Sequence, residues 1–330
     1  MTELFFDGLL CCFLVGLVWK VLTVRQLYQA VFFFIAFGLS MAMAWARLAA
    51  PDVALAEATI GAGLTGVLLI DSLRVFAPAA ESDREAKNPP PGSRRRGRWA
   101  FGYGLVWLTG AAATVLVMLA IWRMPAGGGL TQTVAEAMPG SGAEHPVTAV
   151  LLNFRGYDTW LEVGVLLLAM FGLLVVRGDR EPAEEGNSAR PDVLLDWLTR
   201  ALVPVLVMAS GYLLWLGKFA PGGAFQSGVL LGAAVILLRL NGFTSLERLP
   251  SAVWRGSLVL GFVAFLVHGT GALLMGRRFL EFPTQTAGHW ILGLEVLAAY
   301  SIAFTLAAFF IGLHRSDRGE THARQTTQKE

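Results

Sequence analysis

Long apolar runs recur along this chain, separated by short polar breaks. Nine are predicted as membrane-length helices, near 4–19, 27–46, 53–73, 99–121, 158–176, 194–216, 222–240, 255–275 and 289–313. About 20 apolar residues suffice to cross a hydrocarbon core. The second run is crowded with Phe32, Phe33, Phe34 and Phe37, which read as lipid-facing or packing bulk.

The third run departs from a plain apolar span. Stretch 50–73, APDVALAEATIGAGLTGVLLIDSL, carries Asp52 near one end, Glu57 inside and Asp71 near the other end. A carboxylate deep in a bilayer costs roughly 2.5–3.5 kcal/mol on insertion scales. Ala54, Ala58, Ala62 and Gly66 place a small residue at every fourth position. Such a stripe lets a second helix approach closely in lipid, where packing drives association. Glu57, Gly61 and Thr65 run beside it, about 100° around the helix. Glu57 reads either as part of a proton or cation path or as a satisfied polar anchor between helices.

Composition fits the pattern. Of 330 residues, 55% are hydrophobic and 15% charged, with mean hydropathy +0.58. Soluble domains carry about 25% charged residues, so the expected class is an all-α polytopic membrane protein. Cys11 and Cys12 are adjacent in an apolar helix and form neither a disulfide framework nor a zinc spacing. The first run has Glu3 and Asp7 in place of a basic leader region, and no small-residue cleavage site follows before Lys20. It is expected to be a retained helix.

Charge sets the expected orientation. One alternate set of connectors holds Arg47, Arg123, Arg155, Lys218, Arg277 and Arg278; the rest of the 26 lysines and arginines lie in the other set. Basic connectors stay cytoplasmic, so nine spans put the N-terminus outside and the C-terminus in the cytoplasm. The connector 77–98 is rich in proline and charge, and its RRRGR cluster beside a span reads as a topology anchor, not a nucleic-acid site. A second linker covers 178–190, and 314–330 is a polar tail. The linkers divide the chain into blocks 1–76, 99–177 and 191–313. The loop 124–153 is the one long external segment, and VTAVLLNF (147–154) is expected on the membrane face or on a partner.

Further candidate chemistry sits at three places. In NFRGYDTWLEVG (153–164), Arg155, Asp158 and Glu162 share one face if the helix begins early. They read as a structural pair or as an ion exit. In GKFAPGGAFQSG (217–228), Pro221, Gly222 and Gly223 break the helix, and Gln226 and Ser227 begin the next one. This is either a tight turn or the lining of a polar cavity, because broken backbone near lipid needs protein or water to satisfy it. Glu295 lies inside the ninth run with His289 toward its outer end, and His268 lies in the eighth. A histidine facing a bundle interior is a proton-relay candidate. No nucleotide loop, nucleophile elbow, metalloprotease motif or haem-attachment motif occurs. No cofactor is expected, and the chain reads as an accessory subunit whose polar residues complete a path with its neighbours.

These residues carry a family resemblance. APDVALAEATIGAGL (50–64) resembles the MbhD-like module found in the C-terminal part of the large Mrp antiporter subunit. NFRGYDTWLE (153–162) is similar to the MbhE-like module, and GKFAPGGAFQSG (217–228) resembles the Pro-Gly-Gly turn of the MrpB/MnhB family. The chain departs from the family pattern at Lys218 (usually His), at Ala224 (usually Gly) and at Trp160-Leu161 (usually Leu-Gly). The resemblance implies a fusion: an MbhD-like module of three spans (1–76), an MbhE-like module of two (99–177) and an MrpB/MnhB-like module of four (191–313). It implies a non-enzymatic subunit of a multisubunit Na⁺/H⁺ antiporter in a bacterial or archaeal cell membrane. Its partners would be other antiporter subunits, lipid, protons and Na⁺ or another monovalent cation, with no nucleic acid. Glu57, Glu162 and Glu295 would lie near the ion route, with Asp52, Asp71, Asp158, His268 and Lys218 as further candidates. A redox-driven pump such as a membrane-bound hydrogenase, or a purely structural scaffold, are the competing readings.

Overall fold

In a computed structural model, residues 2–70, 73, 96–124, 129–177, 193–243 and 250–312 are described, and all regular structure among them is helical. The long helices are α1 (Thr2–Thr23), α2 (Leu27–Arg47), α3 (Pro51–Ile70), α4 (Arg96–Trp122), α5 (Gly156–Arg177), α6 (Val193–Leu216), α7 (Ala224–Leu240), α8 (Ser251–Leu274) and α9 (Ala287–Gly312). Seven of them are long and apolar enough to cross a membrane; Leu108–Trp122 and Ala224–Leu240 are shorter apolar stretches. Asp71, both linkers except Arg96, Gly97 and Arg98, and the tail 314–330 fall outside the described residues.

Met1–Leu73 and Ala137–Glu330 make one unit, and Arg74–Glu136 another. In the second unit α4 exposes large apolar residues such as Val106, Leu108, Leu116 and Trp122 along its described length.

In the first unit the apolar core lies along α9. Ala298, Ile302, Ala303 and Ala307 are each at most 1% exposed. Small residues let neighbours come close. A Cβ at Gly228 of α7 would stand 2.9 Å from the Ala299 carbonyl oxygen, and one at Gly261 of α8 would stand 3.1 Å from Ala298 Cα. Hydroxyls tie α8 to α9 and α6 to α7: Ser301 donates to the Leu258 carbonyl at 2.7 Å, and the hydroxyls of Ser210 and Ser227 lie 2.9 Å apart. Close backbone approach and interhelical hydroxyl bonds are the means by which helices associate without water to drive them.

α1 and α2 form a hairpin closed by a bidentate pair, Arg47 Nε to Asp7 Oδ1 at 2.9 Å and Nη2 to Oδ2 at 3.1 Å. α3 then packs against α2 through the expected small-residue stripe. Ala62, 1% exposed, meets Gly38, and Gly66 meets the Ile35 side chain.

Two local expectations are corrected. Arg155 does not join the helix of Asp158 and Glu162. It ends a π-helical stretch, Ala149–Phe154, with φ −130°, and α5 starts at Gly156. VTAVLLNF does not lie wholly on a membrane face or partner. Thr148, Ala149 and Leu152 are buried within the chain, and Thr148 donates to the Gly217 carbonyl.

Candidate functional site

The α6–α7 connection is built from glycine. The Leu213 carbonyl accepts both the Gly217 N–H (3.1 Å) and the Gly223 N–H (3.0 Å), closing the turn on itself. The backbones touch so closely that a Cβ at Gly217 would stand 2.7 Å from Gly223 Cα, and one at Gly222 would stand 2.5 Å from the Leu213 oxygen. Gly223 has φ +112°, a conformation that L side chains rarely adopt. The Pro-Gly-Gly motif is thus a tight turn. It also places unpaired N–H groups at the start of α7, where a helix N-terminus attracts negative charge.

Two carboxylates meet those donors. The Gly222 N–H donates to Asp52 Oδ1 at 3.3 Å, and Gln226 Nε2 donates to the Asp52 carbonyl at 3.4 Å, both at the long end of the hydrogen-bond range. The Ala224 N–H donates to the Glu295 carboxylate. Glu295 is 3% exposed, and its Oε1 lies 3.0 Å from where a Gly223 Cβ would be. Among the described residues no salt bridge reaches Glu295. A buried acid is held here by a backbone donor of the same glycine turn that a second acid contacts.

A third segment closes the cluster. His145 Nε2 stands 3.6 Å from Asp52 Oδ2. The N–H groups of Glu144 (3.1 Å) and His145 (3.0 Å) donate to the Lys218 carbonyl. Lys218 therefore contributes mainly its backbone, with its ammonium 5.1 Å from the Phe219 ring centroid. Sequence reasoning misses His145: a lone histidine before a proline has no spacing that ties it to an aspartate 93 positions earlier in the chain. It marks Gln226 only as the polar start of a helix.

The remaining candidates lie elsewhere. Glu57 opens a π-helical stretch, Glu57–Leu64, and its carboxylate folds onto Gly61, where a Cβ would clash with it. π-helical turns inside α-helices are frequent at functional sites. Asp158 pairs with Arg155 at 2.8 Å. Glu162 is exposed on α5. His268 stacks on Phe282 with ring centroids 4.4 Å apart and leans on Trp290 at 5.4 Å, an aromatic setting. His289 is exposed. Among the described residues no three His, Cys, Asp or Glu side chains are grouped to hold a metal ion.

Helices of membrane-crossing length around a buried acid define a multi-pass membrane protein with a polar site. Residues 12–77 match the MbhD family model, which describes the D-type subunit of MBH. Residues 194–313 match the MnhB model, "Domain related to MnhB subunit of Na+/H+ antiporter". The chain belongs to the Mrp/Mnh-type antiporter subunits, with an MbhD domain followed by an MnhB-related domain. It is 26% identical over 311 residues to the A/B-type subunit of a probable K⁺/H⁺ antiporter from Rhizobium meliloti (strain 1021), covering 84% of this chain and 30% of that protein. It is 32% identical over 95 residues to the B-type subunit of the Na⁺/H⁺ antiporter of Alkalihalophilus pseudofirmus, 28% of this chain and 66% of that one. The Mrp complex of Dietzia sp. DQ12-45-1b contains a similar fold: TM-score 0.72, 21% identity, 95% of this chain and 35% of that chain. An archaeal membrane-bound sulfane sulfur reductase also shares the fold, with TM-score 0.52 and 23% identity over 64% of this chain and 97% of that one. The chain thus spans about a third of the length of the first of these relatives.

Proposed function

We propose that this chain is a membrane subunit of a multisubunit cation/proton antiporter, contributing part of the ion path and much of the subunit interface. The observation that carries this reading is Glu295, buried, without a salt bridge among the described residues, and held on the Ala224 N–H at a glycine turn. A carboxyl group so placed can take up and release a proton or a cation without dismantling an ion pair. Asp52 and His145, which contact the same turn from other segments, extend the path toward one membrane surface. Glu57 lies farther along the helix that Asp52 begins.

In this reading the chain crosses the membrane nine times, with its N-terminus outside and C-terminus cytoplasmic, in a bacterial or archaeal cell membrane. The block 99–177 acts as an MbhE-like module between the two matched domains. Na⁺ is the first cation to assay and K⁺ the second, since antiporters of both ions are among the relatives. The chain acts within the transporter and lends no catalytic group of its own.

Purification through a C-terminal tag in mild detergent tests this. Co-purification of antiporter-like membrane subunits, with Na⁺/H⁺ or K⁺/H⁺ exchange in everted vesicles, is expected. Recovery with metal-cluster subunits would instead favour a redox-driven pump. Recovery as a lone stable monomer would contradict the subunit reading.

A further inference from the structure

Gln226 stands between the two acids at the glycine turn. It is 8% exposed in the first turn of α7, and its Nε2 donates to the Asp52 carbonyl at 3.4 Å. A carbonyl only accepts, so the amide presents its NH₂ to Asp52 and its Oε1 to the other side. That side is the space kept open by Gly223. A Cβ built there would stand 3.9 Å from Gln226 Oε1 and 3.0 Å from Glu295 Oε1. The two oxygens thus border one gap, and Glu295 is itself only 3% exposed.

With Glu295 ionised, the gap sets two acceptors against each other. A carboxylate accepts at both oxygens, and an amide oxygen has no proton to give. A protonated carboxyl fits instead, because its O–H donates while its carbonyl oxygen accepts. The site offers the matching pair, Gln226 Oε1 as acceptor and the Ala224 N–H as donor. A bare cation in the same gap would face the positive end of α7, which disfavours it. The titratable groups on the surrounding elements are engaged elsewhere. Asp52 faces His145, the Lys218 ammonium lies by the Phe219 ring, Glu57 folds onto Gly61, and His268 stacks on Phe282. Glu162 is exposed on α5.

We propose that Gln226 is the positioning residue for a proton on Glu295: its Oε1 accepts the O–H of the protonated carboxyl, directly or through one bridging water, and so holds the loaded form of the site. The main chain of Asp52 orients the Gln226 amide for this, which ties proton loading in the MnhB-related domain to the MbhD domain. The inference deepens the transport reading and rests on it for its part in exchange.

The test is acid-induced infrared difference spectroscopy of the whole complex in liposomes. Protonation of Glu295 is expected to give a carboxylic C=O band that Glu295→Gln removes. That variant keeps both bonds, since an amide NH₂ replaces the O–H, and so assigns the band. The band is expected on the low-frequency, hydrogen-bonded side of the carboxylic range. Gln226→Leu, which has no acceptor, and Gln226→Asn, which draws the oxygen back by one methylene, should both move it to higher frequency. Exchange by Gln226→Leu at matched complex levels should fall about tenfold, the scale of one hydrogen bond. A natural-sequence band at the frequency of a carboxyl free of hydrogen bonds overturns the proposal whatever the variants do. So does the lack of any Glu295 band, and so does a band unmoved in either assembled Gln226 variant. A moved band with full exchange upholds the proton site and contradicts the transport reading alone.

Discussion

Asp52 and Gly222 are 170 positions apart in the chain, yet the Gly222 N–H donates to Asp52 Oδ1 at 3.3 Å. The contact joins the start of α3, in the MbhD domain, to the glycine turn of the MnhB-related domain. The two matched domains therefore share one polar junction instead of standing side by side as independent helical hairpins. His145, from the segment between them, reaches the same carboxylate.

The junction predicts an asymmetry between two changes at Asp52. Asp52→Asn keeps an oxygen for the Gly222 N–H and should leave thermal stability nearly unchanged. Asp52→Ala removes the acceptor and should cost about 0.5–1.5 kcal/mol, the usual net value of one hydrogen bond. Melting of the purified complex, followed by tryptophan fluorescence, reads the difference. Equal melting of both variants would contradict the role given to this contact.

Gly223 should tolerate nothing larger. Its φ of +112° and the 3.0 Å that would separate a Cβ there from Glu295 Oε1 both oppose a side chain. Gly223→Ala is expected to destabilise by about 1–3 kcal/mol, the scale of a residue forced into sparsely populated backbone space. Gly211→Ala, in the middle of α6 with open space around it, serves as the control and should be neutral or mildly stabilising. Parallel melting curves decide.

The α2–α3 seam makes a third prediction. Ala62 is 1% exposed, and a Cβ on Gly38 would stand 3.0 Å from Ala62 Cβ. Ala62→Leu should overpack the seam and cost about 1–3 kcal/mol. Ala58→Leu should cost less, because Ala58 is only half-buried. Limited proteolysis of the membrane-embedded complex would show the first variant cut more readily than the second.

Much of this is legible in the sequence, for identifiable reasons. Apolar run length marks the helices, and the four-residue spacing of small residues marks a seam whose Ala62 and Gly66 the structure places on α2. Pro221-Gly222-Gly223 marks a turn because only glycine accommodates such close backbone. The meeting of that turn with Glu295 and Asp52 is not legible, because no local pattern encodes which helix ends face each other. The π-helical stretch Glu57–Leu64 is hidden for a different reason: apolar and small residues surround it, so no polar face marks the helical phase. VTAVLLNF misleads because apolar character alone cannot distinguish a face turned to lipid from one turned into the chain. Its Thr148 is satisfied by the Gly217 carbonyl, a partner 69 residues away.

The central claim is that the buried Glu295 carboxyl carries charge as part of the ion path, not merely as a structural anchor. Glu295→Gln tests it most directly, since the amide oxygen still accepts the Ala224 N–H while the group no longer titrates. Cation/proton exchange is measured in everted vesicles with complex levels matched by immunoblot. The account predicts normal assembly and a loss of exchange of about 10²-fold, the lower end of what a positioned proton-transfer group contributes. Full exchange at normal complex levels would contradict it.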